Sequence, residues 1–168
     1  METKVQGAIR HIFLTILTLT IAFSLQTAKA QDYKLFTKSI FKNLKYPSEL
    51  SDNCVVTYTN LLLQVSNKGK ITTIRLSDSA PELLKRALAA ARSSFTLKEI
   101  EKLIHDKKLK SCGIVFPLAY LLNSDRCPHG FDTFNDMIKY YHYYDGEPYK
   151  GLTYNLEPMI ITVYDNIN

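Results

Sequence analysis

What the sequence lacks narrows its chemistry first. No Gly-rich phosphate loop occurs, and no serine stands at a nucleophile elbow, so phosphate cradling and serine-hydrolase chemistry have no local support. No basic stripe is interleaved with aromatic residues, which excludes the usual nucleic-acid surface. No Pro-rich or charged linker, internal repeat or low-complexity stretch divides the chain. Cysteine is scarce: Cys54, Cys112 and Cys127 allow at most one internal disulfide and leave one thiol. Cys127-Pro128-His129 can be drawn together with Cys112 and His142, but the spacing matches no zinc pattern, in which paired ligands fall in two sets. A Cys–His nucleophile pair using His105, His129 or His142 is the other drawing, against the simpler reading of loop histidines and structural cysteines. No metal, cofactor or catalytic residue is therefore expected.

The N-terminal residues 1–30 read as a secretory signal peptide. Lys4, Arg10 and His11 form a basic start, Ile12 to Leu25 is uncharged and mostly apolar, and Ala28-Lys29-Ala30 is a small-x-small cleavage site before Gln31. A retained anchor is the alternative, although Thr15, Thr18, Thr20, Ser24 and Gln26 dilute an apolar run already short for a span. Cleavage leaves 138 residues, 18 of them basic and 15 acidic, with no membrane span and a net charge of only +3. That length suits one domain with its own core.

The most structured stretch runs from Tyr46 to Phe95. Thr59, Leu61, Leu63 and Val65 recur at every second position, the period of a strand with one buried face. Asn67-Lys68-Gly69-Lys70 reads as a tight hairpin turn, and Ile74 and Leu76 share one face of a second strand. Pro81 opens a helix whose Leu84, Ala87, Leu88 and Ala91 line one side. Before this module, Tyr33, Phe36, Ile40, Phe41 and Leu44 have helical spacing until Tyr46-Pro47 stops it, and Ser48 to Asn53 reads as a polar connector. After it, Leu97, Ile100, Leu103 and Ile104 predict a short helix ending in Lys107, Lys108 and Lys110. Gly113 to Leu122 is an apolar strand in which Pro117 signals an incompletely paired side. Phe131, Phe134, Ile138 and Tyr141 predict a further helix to Tyr144, ended by Asp145-Gly146 and Glu147-Pro148, and Met159 to Tyr164 reads as a last strand.

Tyr46-Pro47, Leu61-Leu62-Leu63-Gln64-Val65-Ser66-Asn67-Lys68-Gly69-Lys70-Ile71, Ser77 to Ser79, Leu84 with Ala87-Leu88, and Ile114 to Leu121 occur in an order that resembles the C-terminal domain of the TonB energy-transducer family. The resemblance covers roughly residues 36 to 122, with an insertion near 96–110; Asn53-Cys54 and Ser77-Asp78-Ser79-Ala80 depart from the usual glycine-containing loops. It implies a non-enzymatic, periplasmic or secreted interaction module whose third strand receives an extended peptide from an envelope or outer-membrane partner. The implied binding edge is Ile114, Val115, Phe116, Leu118 and Tyr120, with Tyr46 and Pro47 beside it. Monomer and strand-swapped homodimer are both compatible with it. The family topology places the start of the first strand near the end of the third, which implies a Cys54–Cys127 disulfide with Cys112 free. The missing linker means that the chain cannot serve as the family's periplasm-crossing tether.

The expected fold is α+β: a small antiparallel sheet of three strands plus an extra C-terminal strand, with helices on one face. It forms a single domain over residues 31–168, extended from about residue 123. If Ile160 to Val163 pairs with the third strand, the chain itself occupies the implied binding edge. The contrasting reading is a ligand-binding or enzymatic domain built on the tyrosine-rich segment 140–154 with Cys127 and His129.

Overall fold

A computed structural model describes residues 33–123, 127 and 142–164. The signal-peptide reading, His129 and the 131–141 part of the expected helix lie outside these residues. The described architecture is mixed α+β. Helix α1 (Lys34–Asn43) and the short α2 (Ser48–Asp52) precede a hairpin of β1 (Thr57–Val65) and β2 (Ile71–Leu76). Helix α3 (Glu82–Ala91), a 3-10 turn (Arg92–Ser94), α4 (Lys98–Lys107) and the long β3 (Cys112–Asn123) follow. The remainder comprises β4 (Tyr143–Tyr144), β5 (Glu147–Pro148), β6 (Leu152–Asn155) and β7 (Met159–Tyr164).

The hairpin forms where the sequence places it. Gly69 takes φ +71°, a left-handed value that costs glycine little, and Ser66 N donates to Lys70 O. Antiparallel pairing puts Leu61, Leu63, Ile114, Phe116, Leu118 and Tyr120 of β1 and β3 on one face of the sheet. Helices α1, α3 and α4 cover that face with Phe36, Ile40, Leu84, Leu88, Ile100, Leu103 and Ile104. Burying each of these large side chains contributes about 1.5–3 kcal/mol relative to exposure. Pro81 and Pro47 both sit at N-caps, each carbonyl accepting from the first turn of the helix it precedes. At Pro47 this nucleates α2 in what reads as a polar connector, and buried Leu50 pins the turn to the core.

The sheet departs from the expected antiparallel sheet of three strands plus one extra: it has five strands and is mixed. Its order is β2-β1-β3-β6, with β7 also on β3, and both C-terminal strands run parallel to β3. Two strands share one edge because β3 is twelve residues long. The segment β6 covers Cys112 to Val115, Leu156 N donates to Val115 O, and β7 takes over from Leu118 to Asn123. Tyr143 and Tyr144 are not helical. They pair with Pro148 and Glu147 around Asp145 and Gly146, both at positive φ, in a two-residue hairpin. This hairpin lies against the second face of the sheet, where Leu62 and Val115 pack under Tyr144 and Tyr149.

Candidate functional site

The residues of the implied binding edge are all within the core. Ile114, Phe116, Leu118 and Tyr120 point into the helical layer, and Val115 lies under the β4–β5 hairpin. Their outer backbone edge is occupied by β6 and β7, which is held down by buried Leu156, Met159 and Ile161. A partner strand at this edge would have to displace the chain's own tail.

Tyr46 stacks on Tyr120 with ring centroids 4.7 Å apart. Its hydroxyl donates to Val55 O and lies 2.9 Å from Thr57 Oγ1, while Tyr120 OH reaches Leu44 O. Burial raises the pKa of both phenols, so both stay neutral well into the alkaline range. This pair clamps the end of α1 to the start of β1, and its polar groups are spent internally.

Cys54 and Cys127 form a disulfide across 73 positions of sequence. The Cys127 sulfur is thereby committed and offers no thiolate for the contrasting enzymatic reading. Cys112 is free, but it is buried beside Leu152 and desolvation raises its thiol pKa, the opposite of what a nucleophile needs. Among the described residues no group of three or more His, Cys, Asp or Glu could hold a metal ion.

Of the tyrosine-rich segment, Tyr144 is buried and meets Tyr149 edge-on at 6.0 Å, and the Arg75 guanidinium lies 5.0 Å from the Tyr144 ring centre. Asp78 anchors this layer: its carboxylate accepts from Asp145 N at 3.0 Å and Gly146 N at 2.8 Å, and its own N–H donates to Tyr143 O. Arg75 also pairs with Asp145. Gly113 leaves room beneath it: a Cβ there would stand 2.6 Å from Leu62 Cδ1 and 2.9 Å from the Tyr149 hydroxyl, so the ends of those side chains would have to shift. The signal for this layer was Asp145-Gly146 between short β-prone pairs, a hairpin signature as well as a helix stop.

The opposite edge of the sheet is different. β2 pairs with β1 on one side, and among the described residues no strand pairs with its other side. A bulge at Thr72, between Ile71 facing Val65 and Thr73 facing Gln64, bends the strand, and Thr72 Oγ1 donates to Gln64 O. Beside this edge lies an open groove of about 850 Å³. Ile71 and Ile74 form its strand wall, and Arg92, Ser93, Leu97 and Glu101 line the helical side. The groove thus combines an unpaired strand edge, an apolar floor and one charge of each sign on the far wall. Sequence reasoning named β2 as a strand but did not single it out as a site, because edge position depends on the order of strands.

No helix among the described residues is long and apolar enough to cross a membrane. No family model, curated protein or solved structure matches the chain.

Proposed function

We propose that this chain is a non-enzymatic protein-interaction module of the cell envelope, similar to the TonB C-terminal domain, that binds an extended partner segment by strand pairing. The observation that carries the reading is the unpaired edge of β2 with the groove beside it. Energetics choose between the two edges. Entry at β3 forfeits the burial of Leu156, Met159 and Ile161, about 1.5–3 kcal/mol each, and exchanges one set of ladder hydrogen bonds for another. Entry at β2 displaces no strand among the described residues, so main-chain bonds and apolar contacts with Ile71, Ile74 and Leu97 count toward affinity. The partner is therefore an extended segment with apolar side chains at alternate positions on the face turned to the groove.

Site-specific photocrosslinking in envelope extract tests this. A crosslinking residue at Thr73 should give a discrete protein adduct that Ile74→Lys abolishes by placing a charge in the groove. Adducts obtained from Ile160 on β7 but not from Thr73 would transfer the site to the C-terminal edge and refute the assignment to β2.

A further inference from the structure

Helix α1 has two worked faces. Its inner face carries buried Phe36, Ser39 and Ile40. It is fastened to the start of α4 by Phe36 N donating to Glu99 Oε2 at 2.9 Å and by Thr96 N donating to Ser39 Oγ at 3.0 Å. Its outer face is formed by Lys34, Leu35, Lys38, Phe41, Lys42 and, just past the helix end, Lys45, all exposed. At 3.6 residues per turn the five positions within the helix fall within an arc of roughly 120°. No acidic residue occurs between Tyr33 and Ser48, Glu99 of the packed α4 is turned onto the Phe36 amide, and the charge offered outward is that of Lys38, Lys42 and Lys45.

Leu35 and Phe41 are each 57 % exposed, and they sit among the lysines of this arc. A lone exposed apolar side chain is ordinary. Two on one stripe that is otherwise all lysine form a second amphipathic face, basic and apolar, beside the face that builds the core; it is a basic stripe with one aromatic that reading the sequence alone did not single out.

We propose that this outer face of α1 docks onto an anionic phospholipid surface. An amphipathic helix face of this kind can lie flat in an interface. Phe41 and Leu35 would enter the headgroup boundary while the lysine stems extend toward phosphate groups. Each lysine near such a surface is worth about fivefold in partition, so the stripe supplies attraction that falls with salt and with the fraction of anionic lipid. This surface is independent of the β2 groove, and either can fail without the other.

The chain has no tryptophan, so Phe41→Trp introduces a single reporter. The full chain carrying it is titrated with vesicles of phosphatidylglycerol and phosphatidylcholine in equal parts, and with phosphatidylcholine alone. The basic N-terminal residues themselves favour the anionic vesicles, so the comparison among the lysine variants, which leaves those residues unchanged, carries the assignment. We expect a blue shift of emission with the anionic vesicles only. The affinity for these vesicles should fall about 25-fold when Lys38→Gln and Lys42→Gln are combined. Lys38→Arg with Lys42→Arg should restore it, and Lys107→Gln with Lys110→Gln should leave it unchanged. An equal shift with both vesicle types, or one insensitive to Lys38 and Lys42, would overturn the proposal. So would poly-glutamate reproducing the shift, which would assign the face to an acidic protein segment instead.

Discussion

Asn60 and Pro117 stand opposite each other in the β1–β3 ladder, and Asn60 turns both of its backbone groups away, to Ser77. Backbone groups alternate in direction along a strand, so the outward direction of Val115 O, which accepts from Leu156 N, is shared by Pro117. The missing donor of Pro117 therefore faces the interval where β6 has ended at Val115 and β7 has not begun before Leu118. Proline is tolerated in the middle of a core strand because its bare nitrogen meets neither neighbour. Pro117→Ala should shift stability by less than about 1 kcal/mol, through unfolded-state entropy alone. Ala119→Pro, two residues on and within the β7 ladder, removes a ladder donor and should cost about 1–3 kcal/mol, the range for leaving a buried acceptor unsatisfied. Denaturant midpoints of the two variants check this, and equal losses would contradict the orientation.

The legible parts of the fold are those that local physics decides. The period-two run of β1, the glycine turn at Gly69 and the Leu84/Leu88 stripe of α3 each carry their own signal, and the structure has all three. The α+β class and the extra C-terminal strand were readable for the same reason. The parallel direction of β6 and β7 was not, because it depends on how residues after β3 return the chain. Leu152 is exposed and β6 has no alternating apolar face, so only its partner β3 makes it a strand. At Tyr143-Tyr144 the helical spacing of Phe131, Phe134, Ile138 and Tyr141 outweighed the Asp-Gly turn, which is what the structure contains at that point. The open β2 edge could be seen only once strand order was known.

Asp78 holds the β4–β5 hairpin by two backbone bonds to its carboxylate. Asp78→Ala should cost about 1.5–3 kcal/mol, the usual range for hydrogen bonds to a charged group. Amide exchange should rise at Asp145 and Gly146 and leave β1 protected. Unchanged exchange at the hairpin would mean that Tyr144 and Tyr149 hold it without Asp78.

The Cys54–Cys127 bond closes a loop across 73 positions, for which chain entropy gives about 4 kcal/mol. Cys54→Ser with Cys127→Ser should lower stability by roughly 2–4 kcal/mol. The native oxidised chain should release one titratable thiol, that of Cys112, only on unfolding. A second thiol, or a reactive one in the native state, would contradict the pairing.

Alkaline pH should act through Tyr46 and Tyr120. Burial raises the folded-state pKa of both, with the neighbouring Tyr46 adding to the shift at Tyr120. The unfolded chain then releases these protons first, so stability is fully present below the ordinary tyrosine pKa of about 10 and falls as pH rises beyond it. Burial also raises the Cys112 thiol, so denaturant midpoints measured up from pH 8 should decline gently from about pH 9 and drop more steeply beyond about pH 10, and Tyr46→Phe should make only the steeper drop shallower. A steep decline that begins well below the tyrosine range would point to other groups.

The C-terminal strand supplies the sharpest test of how the sheet is closed. Ending the chain at Pro158 removes Met159 and Ile161 from the core and opens the outer edge of β3 from Leu118 to Asn123. The lost burial is about 1.5–3 kcal/mol for each side chain, and the exposed edge is apolar and long enough to template pairing with another copy. The truncated chain should therefore self-associate, seen as a concentration-dependent rise in mass by light scattering. Adding a Leu121→Lys change to the truncation should reduce that association by placing a charge on the open edge. A truncated chain that remains monomeric at the stability of the full one would show that β7 contributes little, and that the unpaired edge of β3 is blunted by something other than the tail.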